Sequence, residues 1–272
     1  MFSIEIPMCD LPLIYSGNQC YRWKKINKDK YVVIDGKNIV VINQIGNKKY
    51  FVCSEEDFFN KWYNYFDVGY DYMDSLLACK KFAKEINSKC FLYSFIVKEN
   101  RKLRILKNDL FQTMVYCMLS GTKEEKKNKI EHICNKCGNP KKNTISGLSI
   151  KWFTFPEAKK VDVEYLTELN KNEIIRIRSL ANKVKKNPDI LEQIKQEKDY
   201  NKCYSMLESI CDKSAWIKNV MFYALGVKEV FVLPKTIKQH LAVWNVTPED
   251  FEPFRKYRGL LIEYLKIEKD KK

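Results

Sequence analysis

No run of about 18 apolar residues occurs in the 272 amino acids of this chain, so no transmembrane helix is expected. The opening residues Met1-Phe2-Ser3-Ile4-Glu5-Ile6 lack the basic start and long apolar follow-on of an export signal, and the expectation is a cytoplasmic protein. Paired cysteine–histidine clusters are missing as well. The single close spacing is His132-Ile133-Cys134-Asn135-Lys136-Cys137, whereas a zinc site needs about four ligands and a second cluster at matching spacing. No metal is expected. The ten cysteines are otherwise scattered, many in apolar surroundings such as those of Cys53, Cys90 and Cys117, and in a reducing compartment they read as small buried hydrophobes. Internal repeats and low-complexity tracts are absent apart from a lysine-rich tail.

Acidic residues are comparatively few. Lys and Arg number 49 against 34 Asp and Glu, a formal net charge of +15, which favours a polyanionic partner such as nucleic acid. The alternative is compositional: the chain is also rich in Asn and Ile, and an AT-rich genome supplies all three residues without any selection for DNA binding. With 45% hydrophobic and 13% aromatic residues the chain is not disordered, and its length suits one large core or two smaller ones.

Short β-branched or aromatic runs fill the first third: Tyr31-Val32-Val33-Ile34-Asp35, Asn38-Ile39-Val40-Val41-Ile42 and Lys49-Tyr50-Phe51-Val52-Cys53. Asp35-Gly36 and Ile45-Gly46-Asn47 lie between them as turn signals, so an antiparallel meander is predicted. Ser54 followed by acidic residues predicts a helix carrying Phe58, Trp62 and Phe66 on one face. From about residue 108 the periodicity becomes helical, with Asn108 or Asp109 as the first cap. A basic helix over Lys123 to Cys137, a polar linker from Gly138 to Ser146, and helices over Val163 to Asn170, Ile174 to Lys186 and Asp189 to Glu197 follow. The last part is read as a hairpin, a helix through Ala224, one from about Pro234 and one around Tyr257 to Leu265.

Several segments, in order, resemble the 8-oxoguanine DNA glycosylase/AP lyase family of the helix-hairpin-helix superfamily, in particular its clostridial-type bacterial members. Asn18-Gln19-Cys20-Tyr21-Arg22-Trp23 is similar to the family's Gly-Gln-Ser-Phe-Arg-Trp. Trp62, Tyr65-Phe66-Asp67 and Gly69-Tyr70-Asp71 match the close of its N-terminal domain. Arg104-Ile105-Leu106-Lys107-Asn108-Asp109 resembles Arg-Leu-Leu-Lys-Gln-Asp, and Lys151-Trp152-Phe153-Thr154-Phe155-Pro156 resembles an aromatic segment ending in Phe-Pro. The resemblance implies an α+β protein: an N-terminal antiparallel β-sheet domain over 1–106, then an all-helical domain over 107–272 with a degraded helix-hairpin-helix at about 200–226. It further implies duplex DNA as partner, base excision repair, a monomer that is nucleoid-associated when bound, and no cofactor. The iron–sulfur signature found among DNA glycosylases, four cysteines in a tight C-terminal cluster, is not present.

Departures from the family gather at its chemical positions. Leu207-Glu208-Ser209-Ile210-Cys211-Asp212-Lys213 stands where the family reads Leu-Pro-Gly-Val-Gly-x-Lys, so the proline and both glycines are gone. A bifunctional glycosylase attacks the sugar with a desolvated lysine amine to form a Schiff base. Counting from Leu207 makes Lys213 that lysine; counting back from Ala224-Leu225-Gly226 places Ala215 there. Pro234 stands where the family aspartate belongs, which leaves Asp212 as the acid that a spatial substitute would need. In the base pocket the family glycine aligns with Asn18, and the glutamine and aromatic align near Ile262 and Lys266. The wedge becomes Ser120-Gly121-Thr122-Lys123, and the second wedge pair becomes Ile175-Arg176. Gly121, Thr122 and Ile175 are therefore expected against DNA, with Lys123, Lys126, Lys127, Arg176 and Arg178 as phosphate contacts. Three functions fit: a glycosylase/AP lyase of altered specificity, a non-enzymatic DNA-binding relative, or a protein-interaction scaffold in which Trp23, Trp152 and Phe155 are simply core.

Overall fold

Glycine closes both hairpins at the centre of the N-terminal sheet. Strands β1 (Phe2–Glu5), β2 (Trp23–Lys25), β3 (Lys30–Asp35), β4 (Asn38–Ile45) and β5 (Lys48–Phe51) are all antiparallel, in the order β1-β5-β4-β3-β2. Gly36 and Gly46 each take the first position of a two-residue loop at φ +57, a left-handed backbone that residues with a Cβ rarely adopt. The predicted meander is present, with β1 added at its edge. The computed structural model describes residues 2–86, 102–145, 147–230, 232–243 and 245–269, so Cys90 lies outside them.

The sheet is buried on both faces, which explains why β3 reads as a continuous apolar run and not as an alternation. Tyr31, Val33, Val40, Ile42 and Phe51 face the main core, while Val32, Ile34 and Val41 pack with Trp152 on the other side. Trp152 belongs to a second hairpin, β6 (Pro140–Ile145) and β7 (Leu148–Phe153). The stretch from Gly138 predicted as a polar linker is therefore a strand. Its outward residues Pro140, Lys142 and Thr144 are exposed, and so is Lys141 opposite Trp152, so its hydropathy resembles a loop.

Helix α1 (Leu11–Ser16) follows β1, and Ser54 caps α2, which runs from Glu55–Asp57 through a π-helical turn at Phe58–Trp62 into Tyr63–Tyr65. Phe58, Trp62 and Phe66 are all buried, as their spacing predicts. Helix α3 (Tyr72–Glu85) stands within the stretch that composition marks as β-rich. The second half is built from α4 (Leu110–Met118), α5 (Lys123–Cys137), α6 (Lys171–Lys186), α7 (Ile190–Gln196), α8 (Tyr200–Ile210), α9 (Ser214–Tyr223), α10 (Lys235–Ala242) and α11 (Arg258–Lys269). The helix expected over Val163 to Asn170 is only a single 3-10 turn, Val163–Tyr165. The Asp162 carboxylate accepts from the Glu164 amide (3.1 Å), and Asn170 is spent as the cap of α6. The chain is thus an N-terminal antiparallel sheet followed by helices, an α+β arrangement.

Polar side chains hold the seam between sheet and helices. Buried Gln19 donates to the Arg104 carbonyl (2.7 Å) and accepts from the Leu106 amide (2.7 Å). Asn108 donates to the Gln19 carbonyl (3.1 Å), and its own amide donates to the carbonyl of Tyr223 in α9 (2.8 Å). Arg104 donates to the carbonyls of Pro7 (2.8 Å) and Asp67 (2.6 Å), and Arg22 pairs with Glu131 of α5 (2.7 Å). Each such bond contributes about 1 kcal/mol, but an orphaned buried partner costs ~1–3 kcal/mol.

A basic, aromatic cavity at the junction of the helices

The loop before α5 is shaped by its own cap. Thr122 and Glu125 form a reciprocal capping box, in which the Thr122 amide donates to Glu125 (2.6 Å) and the Glu125 amide donates to the Thr122 hydroxyl (3.3 Å). Gly121 precedes it at φ +108, a backbone conformation that residues with a Cβ rarely adopt, so glycine is favoured there. A second capping box, Asn170 with Glu173, starts α6 and ties the two loops together. Glu173 accepts from the Ser120 amide (2.7 Å), the Ser120 hydroxyl (2.6 Å) and Lys129 (2.8 Å). Burial alone would raise its carboxyl, but these donors overcome that and hold it at about 2.

Beside this loop opens a cavity of about 540 Å³. Its lining comes from distant parts of the sequence: Asn18 and Tyr21, Tyr116 and Cys117 of α4, Gly121, Lys123 and Lys126, Ala215, Trp216, Asn219 and Tyr223 of α9, Pro234 and Ile237, and Lys266 of α11. One wall is a ring stack, Tyr21 on Tyr116, with centroids 4.0 Å apart and 20° between planes. Lys126 Nζ lies 5.1 Å from the Tyr116 ring centre. Trp216 carries two cations, the Arg176 guanidinium at 5.2 Å and Lys213 Nζ at 4.9 Å. Lys266 donates to the Tyr223 hydroxyl (3.0 Å) and to buried Glu263 (3.0 Å), and Tyr223 donates to the same carboxylate (2.7 Å). Burial first, and then the Glu263 charge, push the Tyr223 phenol well above its ordinary value, so it stays protonated. Burial likewise lifts the Cys117 thiol to about 12, which keeps it inert.

Of the residues singled out by sequence, Asn18, Gly121, Lys123, Lys126 and Lys266 share this cavity, although they span nearly 250 positions of the chain. Thr122 caps α5 beside them. Lys127 lies over Tyr15 at 5.0 Å, and Lys123 donates to the carbonyls of Tyr15 (2.9 Å) and Ser16 (3.1 Å). Arg176 reaches the cavity edge through Trp216, while Ile175 and Arg178 stand exposed on α6. Ile262 is buried in the core behind the cavity, against a void of only about 10 Å³ that it shares with Asn219, Val232 and Lys266. Lys213 and Asp212 are not among the lining residues. Lys213 immediately precedes α9 and reaches back over Trp216, and Asp212 pairs with Lys183 of α6 (3.1 Å). Ala215, in the first turn of α9, faces the cavity instead. The connection Cys211-Asp212-Lys213 contains no positive φ, so this turn does not need the glycines that it lacks.

Residue-by-residue reading missed Tyr116, Trp216, Asn219 and the Tyr223–Glu263 pair. All five positions lie on helices and satisfy the apolar or amphipathic pattern there, so no local signal separates them from ordinary packing residues. Elsewhere, Cys134 and Cys137 are buried and His132 Nδ1 lies 3.0 Å from Glu168. Among the described residues no group of three or more His, Cys, Asp or Glu side chains is placed to hold a metal ion, and no helix is long and apolar enough to cross a membrane.

Residues 2–114 match the family model for the 8-oxoguanine DNA glycosylase N-terminal domain. The whole chain is similar in fold to the apo-form of Clostridium acetobutylicum 8-oxoguanine glycosylase/lyase, at 22% identity and a TM-score of 0.81, covering 98% of this chain and 96% of that one. The same enzyme in complex with dsDNA containing cytosine opposite 8-oxoG gives 20% identity and a TM-score of 0.77, covering 96% and 92%. A 3-methyladenine DNA-glycosylase from Archaeoglobus fulgidus gives 15% identity and a TM-score of 0.69, covering 100% and 99%. No curated protein sequence matches this chain.

Proposed function

We propose that this chain, whose N-terminal domain belongs to the 8-oxoguanine DNA glycosylase N-terminal domain family and whose full length has the glycosylase fold, binds duplex DNA and takes one everted nucleotide into the 540 Å³ cavity. The observation that carries this reading is the convergence of Asn18, Gly121, Lys126, Ala215 and Lys266 on one basic, aromatic-walled space. Everting a nucleotide costs a few kcal/mol, least at a damaged, mismatched or abasic position. Aromatic faces such as the Tyr21–Tyr116 stack return about 1–3 kcal/mol for each base they hold. Lys123, Lys127, Arg176 and Arg178 supply cations around the opening for the phosphates on either side. The task in base excision repair is recognition of a modified or abasic site, with a specificity different from 8-oxoguanine excision.

The family's chemistry does not carry over unchanged. Ala215 and Pro234 face the cavity and neither can act as a nucleophile or a base. This favours a second reading, a DNA-binding relative without glycosylase activity. In an enzymatic reading based on the hairpin, Lys213 as amine and Asp212 as acid would have to leave Trp216 and Lys183 to reach the sugar.

The reading is tested by duplex affinity as a function of salt, on intact, 8-oxoguanine and abasic duplexes. Affinity should fall with a log–log slope of about −0.9 for each phosphate neutralised, and the combined Lys127→Ala and Arg178→Ala variant should reduce that slope by nearly two such units. Tighter binding to the abasic duplex is expected. Undetectable or salt-independent binding would point to the interaction-scaffold function instead.

A further inference from the structure

Three lysines line the cavity, and their surroundings differ. Lys266 is committed to Glu263 and Tyr223, and Lys123 to two backbone carbonyls. For Lys126, no carboxylate among the described residues lies within ion-pair distance of Nζ, which rests 5.1 Å from the Tyr116 ring centre inside the cavity. Lys126 is also the fourth residue of α5, in the first turn, where the helix dipole disfavours a cation. Because the ring stack of Tyr21 and Tyr116 is the wall beside it, a nucleotide held on that wall has its sugar within the same space.

We propose that Lys126 is the catalytic amine of an AP lyase in this cavity, forming an imine with the C1′ aldehyde of a ring-opened abasic nucleotide in place of the helix lysine whose position Ala215 occupies. The inference rests on the reading that the cavity takes an everted nucleotide. Nζ adds to C1′, and the carbonyl oxygen leaves as water when the C=N bond forms. Solvent water takes a proton from C2′, the C3′–O bond breaks, and the 3′ phosphate departs with the bonding electrons. One water then hydrolyses the conjugated imine and frees the lysine. No oxidant, metal or cofactor enters the balance. An amine attacks only when neutral, and burial, the largest influence on Lys126, holds its ammonium below the ordinary lysine value, while Cys117 and Glu173 oppose that shift and Lys129 reinforces it.

The test is borohydride trapping on an abasic duplex, which reduces the imine to a stable protein–DNA adduct, with the modified peptide located by mass spectrometry. Wild type is compared with Lys126→Arg, Lys126→Ala, Lys213→Ala and Lys266→Ala, and duplex binding is measured in the same samples. The arginine variant retains charge and length, so a loss of adduct there is not a loss of folding or of phosphate contact. The expected result is an adduct on the peptide carrying Lys126, reduced roughly tenfold or more in Lys126→Arg while binding persists. An adduct mapped to Lys213 or Lys266, or one undiminished in Lys126→Arg, overturns the inference. Duplex binding with no adduct overturns it too, yet leaves the DNA-binding reading standing; absence of binding overturns both.

Discussion

Gln19 and Asn18 are neighbours in the chain and belong to different regions of the molecule. Gln19 is fully buried in the seam, where its side chain bridges Arg104 and Leu106 and its carbonyl receives Asn108. Asn18 is exposed and lines the cavity. The seam retains residues that match the glycosylase family, Gln19, Arg22, Trp23 and Arg104, each with a hydrogen-bond partner that a substitution would orphan. The cavity is where the departures collect: Asn18, Ala215, Pro234 and Lys266. A buried polar network tolerates little change because every member answers for another's desolvation. A solvent-filled cavity imposes no such constraint on folding, so its residues are free to follow function.

That difference can be broken experimentally. The largest effect is expected for Gln19→Ala, which orphans the Arg104 carbonyl and the Leu106 amide and should cost about 2–4 kcal/mol of stability. Urea denaturation would read this, and duplex affinity of the folded fraction should hardly change. If affinity falls with stability, seam and cavity are one cooperative unit.

Glu173→Gln comes next, because this buried carboxylate joins Ser120 and Lys129 to the start of α6. Loss of charge-assisted bonds should cost about 1.5–3 kcal/mol at neutral pH. Its folded-state value is depressed to about 2 from 4.5, so its contribution is complete above pH 4.5 and is lost as pH falls towards 2. Stability measured between those limits should drop in wild type with a steeper slope than in the glutamine variant; equal slopes would show that Glu173 is not the titrating group.

Tyr116→Ala is expected to have the smallest effect. Removing one ring of the stack should weaken binding to duplexes with an everted nucleotide by about 1–2 kcal/mol, with less effect on intact duplex. Equal loss on both substrates would mean that the wall holds the protein together and not the nucleotide.

Much of the fold is legible without coordinates. Ser54 and the Asn108-Asp109 step announce the starts of their helices because an N-cap is a contact within four residues. Gly36 and Gly46 announce the hairpins for the same local reason. The strand at Pro140–Ile145 does not announce itself, since what makes it a strand is the apolar face of a sheet a hundred residues earlier. The candidate site divides likewise. Asn18, Gly121, Lys123 and Lys126 are visible as motif positions, but Trp216 and Tyr116 look like any other aromatic on a helix until the helices meet.

The sequence by itself determined the basic charge, the turns and caps, the order of strands before helices and the family likeness, all of which depend on composition or on neighbours along the chain. Only the tertiary structure decided that Ala215 and not Lys213 faces the cavity. One residue of a helix subtends about 100°, so a count that is ambiguous by two positions leaves the facing side undetermined. Packing of the helix Ser214–Tyr223 against Leu110–Met118 settles the rotation, and with it which side of that helix meets the cavity.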